Sequence, residues 1–105
     1  MAKNRYNIKY STRFSIDLEN ILYYITYELK NKKAAEKLVN NISGAIINRS
    51  KAPESYEKYK TKSGNIYYRI YINNYIVFYT VSDNIMEVRR IIYSRRNIDE
   101  ILKNK

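Results

Sequence analysis

Between Ile66 and Tyr93 three runs rich in Tyr, Ile, Val and Phe follow one another: Ile66 to Ile72, Tyr75 to Val81 and Ile85 to Tyr93. Only Asn73-Asn74 and Ser82-Asp83-Asn84 separate them. Connections this short cannot carry a crossover, so they must reverse the chain. Asparagine and aspartate tolerate the positive φ that such reversals need. The spacing predicts an antiparallel meander of three strands. A meander of that size cannot bury a face by itself, so the rest of the chain has to cover it.

The first half supplies the cover. Tyr6-Asn7-Ile8-Lys9-Tyr10 alternates apolar and polar residues, the period of a half-buried strand. Ser11 and Thr12 then offer helix caps, and Phe14, Leu18, Ile21, Leu22, Ile25 and Leu29 recur at steps of three and four along one helical face. Asn31 is a second cap before Ala35, Leu38, Val39, Ile42, Ala45 and Ile46, and Pro53 closes that segment. The stretch from Glu54 to Asn65 is polar and weakly periodic, which predicts a loop, and Asn97 to Leu102 predicts one short helical turn. The expected fold is a two-layer α+β domain of order β-α-α-β-β-β, a helical hairpin on a mainly antiparallel sheet of about four strands. The first strand, parted from the meander by both helices, has a crossover long enough to pair in parallel. At 105 residues and 45% apolar content the chain fits one domain, spanning residues 1–105.

Composition narrows the chemistry. The sequence holds no cysteine and no histidine, which removes disulfides, thiolate nucleophiles, the commonest zinc ligands and the usual neutral-pH base together. No metal or other cofactor is expected, and any catalysis would rest on Lys, Arg, Tyr, Asp or Glu. No apolar run approaches the length of a membrane span or a signal core, so a soluble cytoplasmic chain without a membrane partner is expected. The formal charge is +10, with nine cations against four carboxylates in residues 1–50 and eleven against six in residues 51–105. Each half is therefore +5, and the charge belongs to the folded body, where it favours an anionic partner. A drift toward Lys, Asn, Ile and Tyr codons would give such a surface without meaning, but the arginines are placed more selectively. Every cation between Ser63 and Leu102 is an arginine: Arg69, Arg89, Arg90, Arg95 and Arg96. The planar guanidinium fork suits bidentate contact with phosphate or carboxylate.

The element order and several local strings resemble the RelE/ParE toxins of bacterial type II toxin–antitoxin systems. The resemblance runs nearly end to end. It is carried by "YSTRFSIDLENILYYI" entering the first helix, "AAEKL" in the second, Pro53 after it, "YYRI" and "NYIVFY" in the meander, and "VRRIIYSRRNIDEIL" at the end. It implies a small basic toxin that arrests growth and is neutralised by a cognate antitoxin, in a hetero-oligomer with it. Two activities occur on this fold: RelE-like members cut mRNA on the ribosome, and ParE-like members poison DNA gyrase. In RelE-like nucleases an arginine usually follows the aromatic that opens the third strand of that order, whereas here Ile76 follows Tyr75. The string "VRRIIYSRRN" is similar to the ParE-like branch, where histidine is common at the position of Tyr93 and Arg96 matches a recurring arginine.

The favoured expectation is thus a ParE-like gyrase poison. The alternatives are a RelE-like mRNA endonuclease and a non-toxic member that only binds antitoxin. Arg69, Tyr93, Arg95 and Arg96 are the candidate target-binding residues, and the same four are the catalytic candidates if the chain cleaves RNA. Such cleavage needs a base and a proton donor besides cations. Only Tyr93 or Glu87 offers these, and neither titrates near neutral pH without help from its surroundings. Alternation places Arg89 and Arg90 on opposite faces of their strand, with Glu87 beside Arg89 as its ion-pair partner. Tyr75 and Tyr79 share a packing face with Val77 and Val81. Ile76 and Phe78, on the other face, are the expected apolar surface for an acidic antitoxin that folds on contact.

Overall fold

The computed structural model describes residues 5–103. Among them the elements are β1 (Asn7–Tyr10), α1 (Thr12–Tyr23), α2 (Lys32–Arg49), β2 (Lys58–Lys60), β3 (Ile66–Ile72), β4 (Tyr75–Ser82), β5 (Ile85–Tyr93) and α3 (Ile98–Leu102). The sheet runs β1-β5-β4-β3-β2, with β1 parallel to β5 and every other pair antiparallel. The parallel first strand and the meander agree with the sequence expectation. The fifth strand does not: β2 lies inside the stretch read as a loop. Its three residues, Lys-Tyr-Lys, are too few to display a period, and they form a strand because β3 offers them a ladder.

Each turn uses the residue type the chain supplies. Asn73 and Asp83 take positive φ, 55° and 56°, in the two reversals of the meander. Ser11 Oγ accepts the amide of Phe14 at 3.0 Å and starts α1, and Asn31 Oδ1 accepts that of Ala34 at 3.0 Å and starts α2. α1 does not end as an α-helix. Tyr24–Glu28 widen into a π turn, in which the amide of Leu29 reaches the carbonyl of Tyr24, and Lys30 closes the segment at φ 52°.

The helical hairpin covers one face of the sheet. Phe14 and Ile25 of the first helical segment and Leu38, Ile42 and Ile46 of α2 pack on Ile70, Val77, Tyr79, Met86, Val88 and Ile91. Tyr75 and Val81 join this side, as the alternation of β4 required. The loop after α2 is tied down by a small network. Tyr79, fully buried, donates its hydroxyl proton to the carbonyl of Pro53 at 2.7 Å. Arg49 donates to the Tyr79 hydroxyl at 2.9 Å and to the carbonyl of Arg69 at 3.0 Å, while its guanidinium lies 3.5 Å over the ring of Tyr56.

The opposite face is covered as well, which corrects the expectation that Ile76 and Phe78 form an open surface. They are 7% and 0% exposed, in a second core with Tyr67, Ile92 and Leu102. The turn foreseen at Asn97 to Leu102 is α3, capped by Asn97, and it folds back over these residues because burying their side chains outweighs leaving the last turn in water.

A second correction concerns Arg89 and Arg90. Phe78 pairs with Arg90 and Tyr79 with Val88, so Arg89 is an extra residue, a β-bulge. Val88 and Ile91, three positions apart, both enter the helix-side core, and the two arginines between them leave it together. Arg89 keeps its expected partner Glu87, at 3.9 Å.

Candidate functional site

Beyond Tyr10 the strand β1 stops, and β5 would present a bare edge. The start of α1 takes over its hydrogen bonds. The amide of Ser11 donates to Val88 and its hydroxyl to the carbonyl of Arg89, at 3.0 and 2.8 Å. The carboxylate of Asp17 accepts the amide of Ile91 at 3.1 Å. The same carboxylate receives Nε and Nη2 of Arg90 at 2.6 and 3.1 Å, a two-pronged pair whose side chains are 11% and 12% exposed. The end of β5 is thereby fixed against α1, and with it the segment carrying Tyr93 and Arg96.

That segment is itself pinned. Tyr93 pairs with Tyr75 across the ladder, and their rings meet edge-on at 5.7 Å. The amide of Ser94 donates to Asn74 at 2.8 Å, and that of Arg96 returns to the carbonyl of Tyr93 at 3.0 Å. A cleft of about 670 Å³ opens here between the sheet end and the first helix. Tyr75, Tyr93 and Arg96 form its sheet side; Asn20, Ile21, Tyr24 and Leu29 form its helix side. Burial pushes the phenol of Tyr75 above its ordinary value, and the neighbouring phenols of Tyr93 and Tyr24 push it the same way. Among the described residues the cleft's lining includes no carboxylate.

Arg96 also borders a second cleft of about 590 Å³, between α1 and α3, where Arg13, Arg90, Asp17 and Glu100 gather. Its carboxylates are engaged: Asp17 with Arg90, and Glu100 with Lys103 at 3.2 Å.

The structure brings two of the four candidate residues, Tyr93 and Arg96, to one cleft. Arg95 is exposed in the turn between them and lines neither cleft. Arg69 stands on β3, its guanidinium 4.7 Å over the ring of Tyr59 and 5.6 Å from that of Tyr71. Tyr59 in turn donates to Asp99 of α3 at 2.8 Å, and burial first and that bond second hold its phenol above the ordinary range. Sequence reasoning missed Tyr24, Asn20 and Asp17. Asp17 is one of two carboxylates of α1, with Glu19, and nothing in the sequence singles it out; Tyr24 enters the cleft from the π turn, which no residue period announces.

The fold and cleft define a small basic α+β domain whose helical hairpin covers a sheet ending in an arginine-bearing turn. The chain belongs to the family of ParE toxins of type II toxin–antitoxin systems, parDE, whose model matches residues 8–98. Among solved structures it is similar to the chromosomal ParDE system from P. aeruginosa, at 12% identity and a TM-score of 0.65, covering 87% of this chain and 98% of that one. It is also similar to YafQ from E. coli, at 17% identity and a TM-score of 0.50, covering 85% and 93%. At these identities the likeness is one of fold. A search of curated proteins gives no significant match. Among the described residues no helix is long and apolar enough to cross a membrane, and no group of side chains is arranged to hold a metal ion.

Proposed function

We propose that this toxin arrests growth as a ParE-like poison of DNA gyrase, by binding its target rather than by cutting RNA, and that Tyr93 and Arg96 contact that target. The observation that carries the reading is the chemistry of the cleft they share. Among the described residues it offers a guanidinium, side-chain amides, phenols and apolar walls, and no carboxylate or imidazole. The phenol beside Tyr93, that of Tyr75, is shifted away from neutral pH. A ribonuclease needs a group that accepts a proton from the 2′-hydroxyl near pH 7, and this cleft supplies cation and shape without one. Such an arrangement recognises a surface. Arg69 and Arg95, which stand outside the cleft, contribute to the field that draws an acidic surface toward it. The neutralising partner is an acidic antitoxin bound to the toxin in a hetero-oligomer.

Controlled expression with parallel pulse-labelling tests the proposal in cells. Early loss of DNA synthesis, with protein synthesis continuing, supports it. Immediate loss of protein synthesis with DNA synthesis intact overturns it in favour of a ribosome-dependent nuclease.

A further inference from the structure

The cleft between α1 and α3 gathers three guanidinium groups, those of Arg13, Arg90 and Arg96. Its two carboxylates do not balance them. Asp17 is spent: one oxygen accepts Arg90 Nε and the amide of Ile91, and the other accepts Arg90 Nη2. Arg13 comes no nearer to it than 3.9 Å, and its side chain is 65% exposed. Glu100 is exposed and paired with Lys103. With Lys103 counted, four cations stand against two carboxylates, and the forks of Arg13 and Arg96 are left to bind something from outside. Such forks fit the paired oxygens of a phosphate or a carboxylate.

The rest of the lining decides which. Its apolar part is Ile101, and among the described residues no aromatic ring lines it. A protein surface held firmly needs an apolar centre, and a single nucleic-acid strand needs rings on which its bases can stack. This cleft offers neither. At about 590 Å³ it is also far too open to enclose a lone phosphate ion. A duplex turns its bases inward and its phosphates outward, and asks only for cation forks and polar groups along a surface that the strand can cross. Asn20 adds a side-chain amide to the arginines, and Asn20 and Arg96 also line the Tyr93 cleft, so the two clefts adjoin.

We propose that the cleft of Arg13, Arg90 and Arg96 binds the backbone phosphates of duplex DNA, and that the toxin engages its target together with the DNA which that target holds. The Tyr93 cleft then meets the protein, and the arginine cleft meets the strand beside it. The joint engagement rests on the proposed function; the phosphate site itself does not.

The full chain is titrated with a fluorescent duplex of roughly 20 base pairs. Diffuse attraction by a +10 body answers to charge alone, so two substitutions at one position separate it from a built site. Arg13→Lys keeps the charge and loses the fork, and it should weaken binding about threefold; Arg13→Gln should weaken it about tenfold, each with an unchanged thermal melt. Lys51→Gln removes an exposed charge beside Ser50, which bonds the start of β1 at the end of the sheet away from the cleft, and should cost less than about twofold. The slope of log affinity against log salt should be shallower by about 1 in Arg13→Gln than in the parent. In nitrogen-15 spectra the Nε–H signals of Arg13 and Arg96 should move on adding duplex, while those of Arg49 and Arg69, which lie over tyrosine rings elsewhere, stay in place. Arg13→Lys binding like the parent, Arg13→Gln no weaker than Lys51→Gln, or a single strand or a polyglutamate peptide held as tightly as the duplex would overturn the site. Gyrase carrying DNA should bind the toxin at least about fivefold more tightly than bare gyrase, and Arg13→Gln should erase the difference. Duplex binding as described, with no affinity for gyrase in either state, would remove the proposed function and keep the phosphate site. Full poisoning of gyrase by an Arg13→Gln chain whose duplex binding is also unchanged would remove the site and keep the function.

Discussion

Asp17 carries more of the architecture than any other single carboxylate, because one side chain completes a strand edge and neutralises a mostly buried guanidinium. Asp17→Asn keeps an acceptor for the amide of Ile91 but leaves Arg90 without its countercharge. Discounted for the residual exposure of both side chains, the loss should be about 2–3 kcal/mol in urea unfolding, and the Arg90→Met variant should recover part of it. Tyr79 makes a prediction of another kind. Its buried phenol is held above the ordinary value by desolvation, against the hydrogen bond and charge of Arg49, which pull the other way. The unfolded chain ionises near pH 10 and the folded one above it. The stability that Tyr79 contributes is therefore complete below about pH 10 and drains away as pH rises through the folded value. Urea midpoints measured from pH 8 to 11 should fall on the alkaline side, and Tyr79→Phe should flatten that fall. At pH 8 the same variant should cost about 1–2 kcal/mol, the price of a buried Pro53 carbonyl left without its donor.

Elements were legible where a period could repeat. The meander, both long helices and the parallel first strand follow from alternation, helical stripes and capping residues that the structure uses as written. Failures fall where a few residues override the period. β2 is too short to alternate, the bulge at Arg89 breaks the face rule for its neighbour, and the π turn breaks the helical rule for Leu29. The open sheet face failed for a different reason: the sequence does not say where a five-residue helix will fold back, and α3 covers Ile76 and Phe78. The same reasoning explains the candidate site. Tyr93 and Arg96 are three apart in sequence and closed by a turn, so their meeting was local and readable. Their neighbours Asn20 and Tyr24 come from a distant helix whose phase only the fold sets. If α3 closes the second core as described, Leu102→Ala should cost about 2–4 kcal/mol, and the variant should bind a hydrophobic dye at denaturant concentrations where the parent does not. A cost below about 1 kcal/mol would mean that α3 contributes little to that face.

At the scale of the molecule, the +10 charge and the two clefts divide the work. In the proposed function the field brings an acidic surface close, and the cleft at the end of the meander gives that surface a defined contact. Arg96 belongs to both clefts, and its side chain has no carboxylate partner within ion-pair distance among the described residues. Arg96→Glu should therefore abolish growth arrest while shifting stability by no more than about 0.5 kcal/mol, which a growth assay beside a thermal melt will show. The central claim, binding without cleavage, is tested most directly with purified components. The chain is added to DNA gyrase and supercoiled-product formation is followed, and in parallel to ribosomes carrying a defined mRNA, whose ends are mapped. The account predicts inhibited supercoiling, lost in Arg96→Glu, with the mRNA intact; mRNA cut on the ribosome while supercoiling proceeds unchanged would contradict it.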